Sequence, residues 1–261
     1  MRIFYMANNL VGWKLAQWLK EQGVEFAGLA LHPASRERYA TEIRETLALS
    51  DDQVFDAAHL HDPDSLARLR ALEPDLGLSV YFGFILKPQL LRLFPDGAIN
   101  LHPSYLPYNR GANPNVWSII DGTPAGVTLH YIDRDIDTGD IVAQERVCVR
   151  DTDTGQTLYR KLEQASMDLF QRAWPLLDIG AIIPRPQPPA VGPTRRVRDL
   201  AAIDEIDMNR QYTGRELIDL LRARTFAPYP GAYFRDADGR KIYIRVALLD
   251  ENDLEGKREQ M

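Results

Sequence analysis

Residues 97–114 read Gly-Ala-Ile-Asn-Leu-His-Pro-Ser-Tyr-Leu-Pro-Tyr-Asn-Arg-Gly-Ala-Asn-Pro and join a short apolar run to a polar loop. Gly97 to Leu101 is typical of a buried strand, and Asn100 and His102 lie two positions apart at its carboxyl end. Side chains two apart on a strand point to the same face. Because ligands of an open parallel sheet bind beyond the carboxyl ends of its strands, we expect this amide and this imidazole to face one crevice.

The sequence on either side of this stretch alternates between strand and helix patterns. Strands are predicted at residues 2–7, 24–31, 76–82, 126–132 and 140–149. Helices are predicted at residues 10–22, 35–49, 64–72 and 156–178, the third with Asp64 or Ser65 near its cap. The alternation indicates an α/β fold, with a Rossmann-like, mostly parallel sheet that carries helices on both faces.

The composition changes after residue 183, where five prolines fall within residues 184–193. We predict a catalytic domain over residues 1–183, a stiff Pro-rich linker over 184–200, and a small C-terminal β-rich subdomain, similar to a truncated barrel, over 201–261. Within that subdomain, Thr213 and the residue three positions later form a capping-box pattern that predicts a helix. A hairpin around residues 236–239 is predicted to follow.

Composition and charge exclude several classes of protein. The 261 residues are 45% apolar and 26% charged, which is ordinary globular usage, and the net charge of -6 argues against a dedicated nucleic-acid binder. The single cysteine, Cys148, permits no internal disulfide, and its apolar surroundings predict a buried, inert thiol. No apolar run approaches 18 residues and no signal-peptide pattern is present, so we expect a cytoplasmic protein without a membrane partner.

Two polar clusters are candidates for chemistry. His102 is suited to exchange a proton near neutral pH, and Asn100 to donate to an oxygen that becomes negative. Spacing alone gives equal weight to a structural reading, in which Asn100 ends the strand and His102 packs on the following loop. Residues 133–140 hold four carboxylates in a pattern typical of a solvated turn, and they lack the later Glu of a calcium loop, so we expect no metal. His130 alternates with apolar neighbours and is predicted to be structural.

Other signals of catalysis or phosphate binding are weak. The turn over residues 7–12 lacks the G-x-G-x-x-G pattern of a dinucleotide site, although Asn9 and the helix start beside it are suited to hold an anion weakly. Ser104 lacks the G-x-S-x-G context of a hydrolase nucleophile.

Several motifs together resemble a known family. Asn-Leu-His-Pro-Ser-Tyr-Leu-Pro at 100–107, Arg-Gly at 110–111, Gly-Val-Thr at 126–128 and Ile-Asp-Thr-Gly at 136–139 are similar to the formyltransferases that use formyltetrahydrofolate. The resemblance covers most of residues 1–180. It implies that Asn100, His102 and Asp137 are catalytic, that formyltetrahydrofolate is the co-substrate, and that no metal takes part.

The resemblance also implies where the two substrates bind. The residues expected to contact the folate are Ser79, Tyr81, Phe82, Gly83, Phe84, Ile85, Asp133 and Asp140. Those expected to contact the acceptor are Asn9, Lys87, Ser104, Tyr105, Asn109, Arg110 and Asn113. Lys87 and Arg110 are equally compatible with plain surface charges.

The branch of the family that the sequence resembles predicts which molecule accepts the formyl group. Residues 108–114 resemble the enzymes that formylate the amine of nucleotide-linked 4-amino-4,6-dideoxy sugars, and residues 224–234 resemble a segment shared with the methionyl-tRNA branch. Residues 195–261 balance 13 Lys and Arg against 13 Asp and Glu, whereas an RNA-binding domain is expected to be basic. We therefore expect a nucleotide-linked amino sugar, a role in lipopolysaccharide O-antigen synthesis, no nucleic-acid partner, and a homodimer. The alternatives are a methionyl-tRNA formyltransferase, an inactive folate or nucleotide-sugar binding module, and a hydrolase that releases formate.

Overall fold

A computed structural model describes residues 1–189 and 191–251. The strands are β1 (Arg2–Ala7), β2 (Glu25–Leu31), β3 (Val54–Asp56), β4 (Leu76–Val80), β5 (Ala98–His102), β6 (Ala125–Tyr131), β7 (Ile141–Val147), β8 (Ala232–Arg235) and β9 (Lys241–Ile244). The helices are α1 (Asn9–Glu21), α2 (Ala40–Leu47), α3 (Pro63–Ala71), α4 (Pro88–Leu91), α5 (Pro114–Ile120), α6 (Gly155–Asp178), α7 (Ala201–Asp204) and α8 (Gly214–Arg224). Among the described helices, none is both long and apolar enough to cross a bilayer.

The main sheet has the strand order β3-β2-β1-β4-β5-β6-β7. The five strands from β3 to β5 are parallel, whereas β6 and β7 pair antiparallel at one side. The smaller sheet is the antiparallel hairpin of β8 and β9. This architecture confirms the predicted α/β class, and it brings the carboxyl ends of β1, β4 and β5 to one edge of the sheet.

The alternation of side chains along β1 shows why helices cover both faces. Ile3 and Tyr5 are fully buried in one core with side chains of α1, α2 and α6. Phe4 and Met6 are fully buried on the opposite face with side chains of α3 and α4. Since complete burial of one such side chain contributes about 1.5–3 kcal/mol, a strand that is apolar on both faces is stable only between two helical layers.

The Pro-rich stretch is more than a connector. We call its described residues, 184–189 and 191–196, the crossing segment, because it lies along the loops that follow β5 and β6. Backbone hydrogen bonds join Arg185 to Ile141 in both directions, at 2.7 and 2.9 Å, and join Arg195 to Arg110 and Ala112, at 2.8 and 2.9 Å. The segment is extended, as predicted, but it is attached to the part of the chain that carries the main sheet.

Helix α8 packs against α5 and α6, and its buried Arg222 binds the loop between β7 and α6. The Arg222 guanidinium donates to the carbonyls of Arg150 and Asp153, at 3.1 and 2.9 Å, and to the Asp219 carboxylate at 2.6 Å. Thr213 caps this helix in the predicted capping box. The domain boundaries at 183 and 200 stay a prediction, and residues 252–261 of the third unit lie outside the described part of the chain.

Some predicted boundaries were wrong. The helix predicted over 35–49 is confined to α2, because Tyr39 and Ala48 both adopt left-handed backbone conformations that end it. The helix predicted from residue 64 begins at Pro63 with Asp62 as its cap, which suits proline because the first helical N–H has no partner. The short strand β3 and the short helix α5 were not predicted.

The prediction for Cys148 was also wrong. Strand β7 ends at Val147, one residue earlier than the cysteine, and the thiol is exposed. An alternating apolar pattern does not indicate where a strand leaves the core.

A first prediction tests how tightly α8 docks. A methyl group added at Gly155 would lie 2.2 Å from the carbonyl oxygen of Ala223, so Gly155→Ala should force the helices apart and cost about 1–3 kcal/mol of unfolding free energy. Gly214→Ala is the matched control, since its added methyl meets no described atom within 4 Å. Denaturant unfolding measures both, and equal stability of the two variants would contradict this account of the docking.

Candidate active site

Three polar side chains form a row across the sheet. Asn100 on β5 is in register with Ser79 on β4 and with His130 on β6. Because directly paired residues on neighbouring strands point to the same face, the three side chains meet. The Ser79 hydroxyl donates to Asn100 Oδ1 at 2.9 Å, and Asn100 Nδ2 lies 3.3 Å from His130 Nε2.

This row fixes the orientation of the Asn100 amide. His130 Nδ1 lies 2.7 Å from the carbonyl oxygen of Tyr131, which requires a hydrogen on that nitrogen and leaves Nε2 of the neutral ring as an acceptor. One N–H of Asn100 therefore points at His130 while its oxygen accepts from Ser79. An amide nitrogen carries two hydrogens, so the second N–H is directed elsewhere and is suited to a ligand.

The carboxylate of Asp137 reaches the same place from the loop between β6 and β7. Its backbone is left-handed, with φ of 55°, which is uncommon for a residue with a side chain. The loop then turns at Gly139, where an added Cβ would lie 2.0 Å from the carbonyl oxygen of Tyr131. Only glycine fits there, so the Asp-Thr-Gly pattern holds the carboxylate in position.

Asp137 lies among polar groups from three elements. Its Oδ2 accepts from the Gly111 backbone N–H at 2.8 Å and lies 3.5 Å from His102 Nε2, while its Oδ1 lies 3.6 Å from His130 Nε2. The side chains of His102 and Asp137 are 9% and 13% exposed. The structure therefore joins Asn100, His102 and Asp137 in one buried cluster and adds His130, which was predicted to be merely structural.

Burial and charge set the protonation of this cluster. Burial lowers the pKa of His102, and the neighbouring Asp137 carboxylate offsets part of that effect. Burial alone would raise the pKa of Asp137, but the charge that His102 can carry, the His130 contacts and the Gly111 N–H hold it well below its usual range. Near pH 7 the cluster thus pairs an ionised carboxylate with a neutral imidazole, which is the state of a general base.

The residues predicted to bind folate fall into two groups. Ser79 and Tyr81 are directed inward, since Ser79 donates to Asn100 and the Tyr81 hydroxyl lies 3.0 Å from Ser166 Oγ. Gly83 and Ile85 are exposed in the loop after β4, where Phe84 is partly exposed and the buried Phe82 packs beside it.

The two aspartates that were predicted to contact folate lie in the loop between β6 and β7. Both are exposed, and Asp133 Oδ1 accepts from the backbone N–H of Asp135 at 3.2 Å and from the Thr138 hydroxyl. The Asp140 backbone carbonyl accepts from Tyr131 N–H at 2.9 Å. The Asp133 carboxylate therefore has partners within its own loop, the Asp140 backbone is paired with the end of β6, and contact of either residue with folate stays a prediction.

Three of the residues predicted to bind the acceptor contact other parts of the protein. The Ser104 hydroxyl donates to the Tyr108 carbonyl, and the Asn109 amide donates to Ser118 and Thr123. The Tyr105 ring packs over the Cβ position of Gly126, near the start of β6 and away from His130. These side chains therefore have partners within the protein, and their role in binding the acceptor stays a prediction.

The other four predicted acceptor residues are placed differently. Asn9 and Asn113 line one cavity, and the buried Nδ2 of Asn113 has no protein partner among the described residues. Arg110 is buried and donates to Gln187 Oε1 at 2.6 Å, so it is not a plain surface charge. Lys87 is exposed and precedes α4.

The cavity has a volume of about 360 Å³ and combines rings with positive charge. Its lining comes from the β1–α1 turn, the residues before α2, the start of α5, helix α6, the residues between the crossing segment and α7, and the end of α8 with the segment after it. The lining consists of Asn8, Asn9, Arg38, Asn113, Asn115, Val116, Tyr159, Val197, Leu200, Arg224, Phe226 and Tyr229. Sequence reasoning missed Arg38 and Tyr159, which carry no local motif. Within the described ranges, no group of three or more His, Cys, Asp or Glu side chains is arranged to hold a metal ion.

The fold and the cluster define a class of protein. A buried neutral imidazole, a carboxylate beside it and an oriented amide at the carboxyl edge of a parallel sheet are suited to acyl transfer. The chain matches the family model described as Formyl transferase over residues 17–174 and the model described as N-formyltransferase dimerization C-terminal domain over residues 199–250. The chain belongs to the formyl transferase family, which confirms the resemblance found in the sequence.

Curated relatives carry two different activities. The chain is 36% identical over 195 residues to a methionyl-tRNA formyltransferase of Anaeromyxobacter dehalogenans, covering 74% of this chain and 61% of that one. It is 34% identical over 157 residues to a dTDP-4-amino-4,6-dideoxyglucose formyltransferase of Mycobacterium bovis, covering 60% of this chain and 67% of that one. The match to the methionyl-tRNA enzyme thus spans less than two thirds of its length.

Solved structures match over more of the chain. A sugar N-formyltransferase from a Shewanella species superposes with a TM-score of 0.80 at 26% identity, over 96% of this chain and 99% of that one. A formyltransferase from Anoxybacillus kamchatkensis, in complex with UDP-4,6-dideoxy-4-formamido-L-AltNAc and tetrahydrofolate, matches with a TM-score of 0.57 at 29% identity, over 77% of this chain and 89% of that one.

The geometry of the cluster predicts how the pKa of His102 changes when Asp137 is substituted. Because the Asp137 carboxylate favours the charged form of His102, Asp137→Asn should lower the pKa of His102 below its value in the unaltered protein, which burial already keeps under 6.5. Nuclear magnetic resonance of the imidazole protons measures this, with the His102 signal assigned by its loss in His102→Gln. Asp135→Asn, an exposed position in the same loop, is the control. A rise in the His102 pKa in Asp137→Asn would refute the proposed contact.

Proposed function

We propose that this chain transfers the formyl group of formyltetrahydrofolate to the amine of a nucleotide-linked 4-amino-4,6-dideoxy hexose. The observation that carries the proposal is the buried cluster in which His102 lies 3.5 Å from Asp137, beside the oriented amide of Asn100. The family membership and the sugar N-formyltransferase neighbour support the same reaction.

The chemistry follows from the protonation of the cluster. The neutral sugar amine attacks the formyl carbon, and His102 Nε2 accepts the proton that the amine loses. The free N–H of Asn100 donates to the oxygen that becomes negative in the tetrahedral intermediate. Asp137 stabilises the imidazolium, which then returns its proton as the bond to the folate nitrogen breaks. The products are the formamide and tetrahydrofolate, so atoms and charge balance.

We assign the two substrates to opposite sides of the cluster. The exposed backbone of residues 83–85 offers hydrogen-bonding groups for a pterin ring edge. The cavity offers the guanidinium group of Arg38 for a diphosphate, and the rings of Tyr159 and Phe226 for apolar contact with a base or sugar, whereas the Arg224 guanidinium is paired with Asp204. A volume of about 360 Å³ suits part of a nucleotide sugar.

The neighbouring proteins support a sugar acceptor. The Mycobacterium bovis relative is named for a dTDP-4-amino-4,6-dideoxy sugar, and the Anoxybacillus kamchatkensis protein holds a UDP-linked 4-formamido sugar and tetrahydrofolate. We extend the proposal to surface polysaccharide synthesis in the cytoplasm, by a homodimer whose contacts involve residues 199–250.

The assignment of His102 as the catalytic base predicts how its substitution changes the rate of formyl transfer. His102→Ala should lower formyl transfer by about a hundredfold to ten-thousandfold, since a single general base contributes that much. Turnover under saturating co-substrate measures the loss, and the thermal midpoint shows that the fold persists. His59→Ala, at an exposed histidine, is the matched control. Near-normal turnover in His102→Ala would remove this residue from the mechanism.

The acceptor class has its own test. We expect formylation of a dTDP-, UDP- or GDP-linked 4-amino-4,6-dideoxy hexose and no formylation of methionyl-tRNA, because a chain with a net charge of -6 repels a polyanion at long range. Transfer rates are compared at equal acceptor concentration and low salt. Faster formylation of methionyl-tRNA would assign the chain to that branch, which the Anaeromyxobacter dehalogenans relative favours. Formate release without any acceptor would indicate a hydrolase, and binding without turnover an inactive module.

A further inference from the structure

The loop that carries Asp137 is held by a side chain from outside the catalytic cluster. The backbone carbonyls of Asp137 and Gly139 both accept hydrogen bonds from Gln187 Nε2, at 2.9 and 2.7 Å. The Oε1 of the same amide accepts from the guanidinium of Arg110 at 2.6 Å. One side chain thus joins the loop after β5 to the loop after β6.

The chemistry of these contacts selects an amide. Both hydrogens of Nε2 are directed at carbonyl oxygens, and the amide oxygen faces a permanent cation. If the amide were turned over, its oxygen would face two carbonyl oxygens and its N–H groups would face the guanidinium. The orientation is therefore fixed by the contacts themselves.

Gln187 is also mounted on a restrained segment of backbone. It belongs to the crossing segment, which pairs with Ile141 through Arg185 and with Arg110 and Ala112 through Arg195. Prolines on both sides, at 186 and 188, restrict the chain further, so little conformational entropy is lost when the amide is held.

The loop needs such support because Asp137 is in a left-handed conformation. A residue with a side chain persists there only when its surroundings hold it, and the conformation costs on the order of 1–3 kcal/mol. The side chain of Asp137 is held by Gly111 N–H, and its backbone carbonyl is held by Gln187. Arg110, which precedes Gly111, is bound by the same amide.

We infer that Gln187 is a positioning residue, which sets the place of the Asp137 carboxylate relative to His102 by binding the two loops on either side of it. This inference rests on the proposed formyl transfer. Displacement of a reacting group by about 1 Å typically costs up to a hundredfold in rate, so the effect belongs in kcat rather than in substrate binding.

The test compares two substitutions of similar size. Gln187→Met removes the donors and the acceptor without adding charge, and Gln187→Glu keeps an acceptor for Arg110 but faces the two carbonyls with a carboxylate oxygen. Both should lower kcat by about ten- to a hundredfold while each KM stays within about threefold. Gln211→Met makes the same chemical change at an exposed position and should behave as the unaltered protein.

A second readout does not depend on the acceptor. The charged and titratable groups that face His102 are Asp137 and His130, and Asp137 raises the pKa of His102. If Gln187 holds Asp137 in place, Gln187→Met shifts the His102 titration to lower pH, in the same direction as Asp137→Asn. Nuclear magnetic resonance of the protein without substrates measures this shift.

Four results would overturn the inference. They are a kcat within twofold of normal in either variant, a loss confined to KM, an unchanged His102 titration in Gln187→Met, or unfolding of both variants, which would make Gln187 a purely structural residue. If the unaltered protein formylates no amino sugar, the proposed function fails by itself, and the His102 titration still decides the role of Gln187.

Discussion

A buried carboxylate must be surrounded by hydrogen-bond donors or positive charge, and much of this structure serves that requirement at Asp137. The Gly111 N–H reaches it from the loop after β5, and the imidazoles of His102 and His130 approach it from neighbouring strands. His102 accepts a proton from a substrate only when its imidazole is neutral. Burial lowers the pKa of His102 and the Asp137 carboxylate raises it, so these two opposing effects determine the strength of the base. The loops, the strand ends and the crossing segment are arranged around this one charged group.

The pairing register of the main sheet determines which polar side chains meet at the cluster. Ser79, Asn100 and His130 lie opposite one another on three adjacent strands, so their hydrogen bonds follow directly from backbone pairing. A one-residue slip of β6 would turn His130 to the other face and leave the Asn100 amide free to rotate. Part of the catalytic geometry therefore depends on the same backbone hydrogen bonds between strands that hold the core together.

The sequence predicted the parts of this protein that are local. Alternating apolar patterns predicted the α/β class, the Thr213 capping pattern predicted α8, and the spacing of Asn100 and His102 predicted their common face. The role of His130 could not be predicted, because it depends on pairing between β5 and β6, which a linear pattern does not show. The same reason applies to Gln187, which is far from Asp137 in the chain and meets it only because the crossing segment folds back. Ser104 and Asn109 were assigned to the acceptor because their loop resembles a binding loop. The linear pattern did not show the partners that the structure gives them, which are the Tyr108 carbonyl and Ser118 on α5.

The cavity brings together parts of the chain that are far apart in the sequence. Asn8 and Asn9 lie where β1 leads into α1, whereas Arg224 ends α8 and Phe226 and Tyr229 follow it. The Arg38 guanidinium already joins the two walls by donating to the Tyr229 hydroxyl at 2.7 Å. A molecule that contacts both walls binds only when they are together, so its binding free energy is added to the free energy that docks α8. Occupancy of the cavity and protection of the α8 backbone from hydrogen exchange are thus thermodynamically linked, and each ligand that fills the cavity lowers the population in which the C-terminal unit is open.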